Sequence, residues 1–300
     1  MAVIKPSRMP AAGEVFLDMP DLGDHLGLAV AVDEVLEARR TEYQDLAVVR
    51  AGRLGKVLIL DGCIQVSEFD QAGYHEMLVH VPLLSHPEPR RVLVIGGGDG
   101  ATVGQVLRHG SVQRVDLCEI DGQVIEAARR HLPELAAGLD DPRVRVHLAD
   151  GAAFVGSVDR PYDVILVDSS DPEGPAGVLY TAEFYAGIKK ALAPGGLVCS
   201  QMESFFIYPE LIERVFGFLP GLFATALYYL TVVPTYNTGV IGFAICGDAA
   251  DPLAAPDADR VAALGPLGHY TPALHRAAFA LPRPALELLP PAVAAAQERA

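Results

Sequence analysis

RVLVIGGGDGA, residues 91–101, is an aliphatic run that breaks into glycines. Branched apolar residues followed by glycines suit a buried parallel strand whose chain then turns sharply into a helix, passing so close to a ligand that a Cβ would obstruct it. Asp99 stands inside that turn. A loop that cradles a pyrophosphate offers bare N–H groups and the positive end of a helix, so a carboxylate there is electrostatically wrong for phosphate and right for a cation. The expected ligand is therefore an adenosine compound that carries positive charge, in preference to NAD.

Around this stretch the pattern alternates between strand and helix. RVLVI, ATVGQVLRHG, RVDLCEI, GQVIEAARRHL, RVRVHLAD and YDVILVDSS follow in turn, then TAEFYAGIKKAL, LVCSQ, a helix from about Pro209 and strands in ATALYYLTVV and VIGFAIC. Such alternation predicts a parallel sheet with helices on both faces. The fold expected is α/β, a Rossmann-like, methyltransferase-type doubly wound sheet over residues 86–300. Before it, AVAVDEVLEARR, YQDLAVVRAG and GKVLILDGCIQVSE read as strands broken at Arg53-Leu54-Gly55 and Asp61-Gly62, giving a small β-rich domain over residues 1–85. The proline- and alanine-rich tail after Pro282 reads as a short helix and a frayed end.

Composition narrows the function. The chain has 300 residues, is 51% hydrophobic and carries a formal net charge of −15, which argues against nucleic-acid and phosphate binding and suits small cations, or simply solubility. Cys63, Cys118, Cys199 and Cys246 stand far apart, with no CxxC pair and no secretory signal over Met1 to Pro20, so reduced thiols in the cytoplasm are expected. Val215 to Val233 is uncharged and long enough to span a bilayer. Pro220-Gly221 and Pro234 make a helix end followed by a buried strand the better reading, with no membrane partner.

In an open α/β sheet the ligand lies beyond the carboxyl ends of the strands. Here those ends carry acids: Asp99, Glu119, Asp150, and Asp168 with Asp171. Glu119 follows the glycines by about twenty residues, where a carboxylate accepts hydrogen bonds from ribose hydroxyls, and Asp150 is placed to meet an exocyclic adenine amine. Gly96, Gly98 and Ala101 also satisfy the permissive dinucleotide pattern, which keeps NAD as a competitor. The segment DSSDPEGPA, Asp168 to Ala176, sets two carboxylates three residues apart at a strand end. Taken alone, Asp168 and Asp171 are equally readable as caps of a strand and a turn. Converging with the other acids, they match a reaction between a sulfonium donor with a charged amine tail and an amine nucleophile. That nucleophile, with a reference pKa of about 10.4, must lose a proton before it attacks carbon, and Asp168 is the candidate acceptor.

Long ordered motifs strengthen this. YQDLAVV at 43–49, GKVLILDGCIQ at 55–65, YHEMLVHVPLLSHPEP at 74–89, VLVIGGGDGATVGQVLRH at 92–109, CEIDGQVIEAARRHLPE, DDPRVRVHLADG, YDVILVDSSDPEGPA, VVPTYNTGVIGFAIC and HRAAFALP together cover most of the chain. In these stretches the sequence resembles the polyamine aminopropyltransferases, the family of the spermidine synthases. The resemblance implies transfer of the 3-aminopropyl group of decarboxylated S-adenosylmethionine to putrescine, giving spermidine and 5′-methylthioadenosine, with no prosthetic group and no metal. It assigns Gln44, Gly96, Gly98, Asp99, Glu119, Asp150, Gly151 and Pro175 to the donor, Asp168 to the proton acceptor with Tyr74 assisting, and Tyr74, His75, Asp99, Asp168, Asp171, Gln201 and Tyr236 to the amine substrates. A homodimer or homotetramer formed through the N-terminal strands is also implied.

Several of these residues have plainer readings. Tyr74 and His75 lie in GYHEMLVH, whose spacing suits an amphipathic helix, where a tyrosine is ordinarily core. Tyr236 in PTYNTG reads as part of a turn. His75, His80 and His86 make no metal-ligand set. The chain also departs from the family: Ser67 to Ala72 replaces a TERDEF-like segment, and Leu22-Gly23 and Phe205-Phe206 stand where many relatives carry tryptophan. These changes predict a reshaped acceptor wall and keep agmatine, cadaverine and spermidine as alternative acceptors. A methyltransferase using intact S-adenosylmethionine and a non-catalytic polyamine binder are the competing functions.

Overall fold

A computed structural model of the chain describes residues 9–19, 26–172, 174–249 and 251–298. Two small antiparallel sheets come first. Strands β1 (Val15–Asp18) and β2 (Leu28–Ala31) pair with each other, while β3 (Glu34–Arg40), β4 (Asp45–Arg50), β5 (Lys56–Leu60) and β6 (Cys63–Ser67) form a sheet in that order. Leu22-Gly23, one of the departures noted in the sequence, lies outside the described residues. Alternation along the strands of the four-stranded sheet decides what each face covers. Ala47, Val49, Val57 and Ile59 pack with Phe16 and Val30 of the two-stranded sheet, whereas Leu46, Val48, Leu58 and Val66 pack with Val124, Ala127 and Leu132.

Strands β7 (Arg91–Gly96), β8 (Arg114–Glu119), β9 (Val144–Leu148), β10 (Tyr162–Asp168), β11 (Leu192–Gln201), β12 (Thr225–Val232) and β13 (Val240–Gly247) form the large sheet, in the order β12-β13-β11-β10-β7-β8-β9. β13 alone runs opposite to the other six strands. This is the doubly wound, methyltransferase-type sheet expected from the sequence. Its central strands are apolar throughout because both faces are covered. Val92, Val94, Val164 and Leu166 join one core cluster, and Leu93, Ile95, Ile165 and Val167 join the other.

Helix α1 (Gln71–Ser85) packs against β10, β11, β12 and β13. A division of the chain at residue 85 would part this helix from the sheet it covers. It is also not amphipathic: every residue from Gly73 to Leu84 is buried. The C-terminal segment covers its outer side, and a buried carboxyl and a half-buried guanidinium fasten that cover. Glu76 accepts hydrogen bonds from the backbone N–H groups of Gly268, His269 and Tyr270 at 2.7, 2.8 and 2.7 Å, and the Arg260 guanidinium donates to the carbonyls of Leu83 and His86 at 2.6 and 2.8 Å.

The uncharged run from Val215 divides between a helix that continues through Pro220 to Leu222 (Pro209–Leu222) and strand β12. Among the described residues no helix is long and apolar enough to cross a membrane. The tail differs from expectation. Two short helices, Arg283–Glu287 and Pro291–Gln297, are docked by Ala285, Leu289 and Val293, and Gln297 accepts from the N–H of Tyr228 while donating to the carbonyl of Phe279.

His80 and His109 meet between α1 and the segment after helix α2 (Ala101–Leu107), with Nδ1 and Nε2 3.0 Å apart. Burial pushes their pKa values down to about 4 and about 2 from an ordinary 6.5. Both are neutral in the folded chain, so their contribution to stability is complete above pH 6.5 and is lost as pH falls from 6.5 towards the folded values. Relative to the unaltered chain, His109→Gln should keep more of its urea midpoint as pH falls from 6.5 to 5; equal pH profiles in the two proteins would contradict the assignment.

Candidate active site

The parallel strand order reverses between β7 and β10, and the crevice of such a sheet opens at that point beyond the strand ends. There Gly96 and Asp168 stand opposite each other in register. A Cβ on Gly96, at φ +78°, would collide with the Asp168 carbonyl oxygen, and one on Gly97 would meet Asp168 Oδ2 at 2.6 Å. On Gly98 it would meet Glu119 Oε2 at 2.9 Å. Glycine is thus required here by the approach of a backbone carbonyl at Gly96 and of two carboxylates at Gly97 and Gly98, in addition to any ligand.

These carboxylates also occupy donors that a phosphate would use. Glu119 Oε2 accepts the N–H of Gly98 at 3.1 Å, and Asp99 Oδ1 accepts that of Ala101, the first residue of α2, at 2.7 Å. Filled by acids, this loop is no pyrophosphate cradle. Glu119 also accepts the N–H of Asp121 at 2.8 Å, yet burial pushes its carboxyl up to about 7.

A cavity of about 210 Å³ opens over this point, and Gln44, Tyr74, His75, Gly96, Gly98, Asp99, Glu119, Asp150, Gly151, Asp168, Asp171, Gln201 and Tyr236 all line it. Of the site residues named from the sequence, Pro175 alone has a side chain outside what is described. Asp168 ends β10 with both oxygens held: Tyr74 donates to Oδ1 at 2.8 Å and Thr102 to Oδ2 at 2.6 Å. Burial, reinforced by the nearby charge of Asp99, raises the Asp168 pKa, against the lowering influence of His75. Asp150 is a cap as well as a wall residue, its Oδ1 accepting the N–H of Ala153 at the start of the helix Gly151–Gly156. Cap and site are not alternatives in this fold. Gln44 donates to Asp121 Oδ2 at 3.0 Å, and Tyr180 donates to Gln201 Oε1 at 2.7 Å.

Sequence reasoning missed Thr102, Asp18 and Glu203. Thr102 is the second residue of α2, where only the fold brings it to Asp168. Asp18 ends the short strand β1, and Glu203, at φ +54°, is a non-glycine residue in the left-handed region; both line the cavity. Such strained backbone gathers at functional sites.

Residues 71–254 match the family model described as the spermine/spermidine synthase domain, and residues 15–68 match the spermidine synthase tetramerisation domain. The chain belongs to the spermine/spermidine synthase family. Spermidine synthase 2 of Hyoscyamus niger is 43% identical over 264 residues, 85% of this chain and 86% of the relative. A polyamine aminopropyltransferase of Leptospira biflexa is 43% identical over 254 residues, covering 84% and 89%. Among solved structures, a spermidine synthase in complex with the transition-state analogue AdoDATO superposes with a TM-score of 0.89 at 34% identity, and that of Thermotoga maritima with 0.86 at 32%; each comparison covers 95% of this chain and 98% of the other. The proteins so named are enzymes, and this chain is a member of that enzyme family.

Two departures from the spermidine synthase pattern fall away from the cavity. None of Ser67 to Ala72 lines it, and neither Phe205 nor Phe206 does. Phe69 is exposed, but Asp70 is a buried anchor. Its Oδ1 accepts from Ser67 and from the Thr235 hydroxyl at 2.6 and 2.9 Å, and its Oδ2 from the Thr235 N–H at 2.7 Å. It thereby fastens the turn that carries Tyr236. Asp70→Ala leaves a buried N–H unmatched and should cost about 3 kcal/mol of stability by urea denaturation; a loss under about 0.5 kcal/mol would show that the turn holds without it.

Proposed function

We propose that the chain transfers the 3-aminopropyl group of decarboxylated S-adenosylmethionine to a diamine, putrescine in the first instance. The observation that carries this is Asp168 at the switch point, held by Tyr74 and Thr102 and set near Asp99 in a cavity whose glycine loop is closed to phosphate. The resemblance to a spermidine synthase bound to AdoDATO supports the same donor.

The charges of the reactants explain the residues. The donor brings a sulfonium and an ammonium tail, and the acceptor arrives as an ammonium. Glu119 takes the ribose hydroxyls, with Gln44, Asp150 and Gly151 completing the adenosine wall. Asp99 and Asp168 hold the donor's amine tail, assisted by His75. Asp171, Gln201 and Tyr236 line the path of the acceptor. An intact S-adenosylmethionine would set its own carboxylate beside Asp99 and Asp168, where like charges repel strongly in a partly dry site.

In the reaction the acceptor ammonium gives one proton to Asp168. Its nitrogen lone pair then attacks the propyl carbon bonded to sulfur, a C–N bond forms, and the C–S pair returns to sulfur as the neutral thioether 5′-methylthioadenosine. The new secondary amine leaves as a cation. Burial makes Asp168 more basic than an ordinary carboxylate and narrows its distance from the amine, while the Tyr74 and Thr102 bonds keep it aimed. Alignment of nitrogen, carbon and sulfur is the remaining task of the cavity. The N-terminal strands, matching a tetramerisation domain, are the proposed self-association surface. The four cysteines form no disulfide among the described residues and suit a reducing, cytoplasmic setting.

Asp168→Asn keeps the shape and removes the base. We expect turnover of putrescine and decarboxylated S-adenosylmethionine, followed by mass spectrometry of the products, to drop about 100-fold or more while 5′-methylthioadenosine still binds. Near-normal turnover would refute the role of Asp168. Transfer from intact S-adenosylmethionine by the unaltered protein would favour a methyltransferase.

A further inference from the structure

Asp18 and Asn237 lie 219 positions apart and meet at the wall of the cavity. Asn237 Nδ2 donates to Asp18 Oδ1 at 2.8 Å, and the Ile64 N–H donates to Asp18 Oδ2 at 2.8 Å. Donation of Nδ2 fixes the asparagine amide, and its Oδ1 is then buried with no hydrogen-bond partner among the described residues. Asp171, from the loop after β10, is the charged side chain that faces Asp18, and Glu203 and Tyr236 line the same cavity.

A buried amide oxygen without a donor is costly, and most such groups are matched in a finished site. Beside it stands a carboxylate whose two strongest partners are a backbone N–H and this same amide. What completes the pair is an N–H donor bearing positive charge. Resting on the reading of the cavity as an amine-acceptor site, we propose that Asn237 is a specificity-determining residue that keeps Asp18 aimed and ionised, the two together receiving the acceptor's second ammonium, the one remote from the reacting nitrogen.

Electrostatics agree with the geometry. Burial pushes Asp18 up to about 6, the hydrogen bonds from Ile64 and Asn237 restrain that rise, and Asp171 adds to it. Without the amide the carboxyl moves higher and is partly neutral near pH 7, when it no longer selects a cation.

The test compares 1,4-diaminobutane with 1-aminobutane as acceptors for the full-length enzyme and for Asn237→Ala, measuring kcat/KM from pH 5.5 to 8. In the unaltered enzyme the ratio of diamine to monoamine should rise with pH through about 6. In Asn237→Ala the ratio should fall about tenfold at pH 7 and its rise should move to higher pH. Binding of 5′-methylthioadenosine to the variant, followed by calorimetry, should be unchanged and reports folding. Equal losses for the two amines, or an unshifted ratio profile, would overturn the role of Asn237. If the unaltered enzyme lengthens no amine, the acceptor-site reading itself fails, a result distinct from an active enzyme whose variant keeps its discrimination.

Discussion

The close approach of the loop at Gly96 to Gly98 to two carboxylates is the constraint on which the site depends. Register places Asp168 opposite Gly96, and the absence of Cβ atoms lets Asp168 and Glu119 lie directly under the loop. A phosphate-binding version of this turn keeps its N–H groups open. Here Glu119 and Asp99 take two of them, so the same strand-to-helix geometry holds negative charge of its own. One backbone shape thus serves opposite ligand charges according to what fills its donors.

Burying acids is unfavourable, and the fold compensates each in a particular way. Asp168 has two hydroxyl donors, Glu119 two backbone N–H groups, and Asp70 two hydroxyls and an N–H. The compensation is incomplete where the cavity opens. Glu119 and Asp18 remain well above ordinary carboxylates because burial outweighs their hydrogen bonds, and Asp168 rises for the same cause. Asp70, which does not line the cavity, serves instead to tie two segments together. Carboxylates left under-compensated beside open space are those that a cationic ligand completes.

The parallel sheet was legible because its strands are apolar runs that end in acids, a pattern set by burial on both faces. The cavity wall at Asp99, Glu119, Asp150 and Asp168 was legible for the same reason, since these residues lie at or just after strand ends, a place set by the winding of the sheet. Helix α1 was misread because its outer side is covered by residues 257–270, a contact that local periodicity does not carry. Thr102 was invisible since nothing in ATVGQVL distinguishes a helix-facing threonine from one aimed at a carboxylate. Asp18 was missed because VFLD is a short strand whose pairing, with Leu28 to Ala31, skips nine residues. The departures at Phe69 and Phe206 looked consequential by position, yet both side chains are exposed and away from the cavity.

The side of the cavity at Tyr236 is built differently from the side at Glu119. Asp99, Glu119, Asp150 and Asp168 lie at or just after the ends of adjacent strands of one sheet. The turn from Thr235 to Asn237, by contrast, is fastened at each residue to the N-terminal part of the chain: Thr235 to Asp70, Tyr236 through its hydroxyl to the Gln65 carbonyl at 2.7 Å, and Asn237 to Asp18. Tyr74, which donates to Asp168, packs edge-on against Tyr236 with ring centroids 5.9 Å apart. Substitutions in the small sheets therefore reach Asp168 through a short series of contacts, whereas the wall at Glu119 is held by the large sheet, joined by Gln44 and its partner Thr41 through the Asp121 they share. For the proposed reaction, such a division lets the amine recognised vary with the N-terminal strands while the donor chemistry stays fixed by the register of β7 and β10.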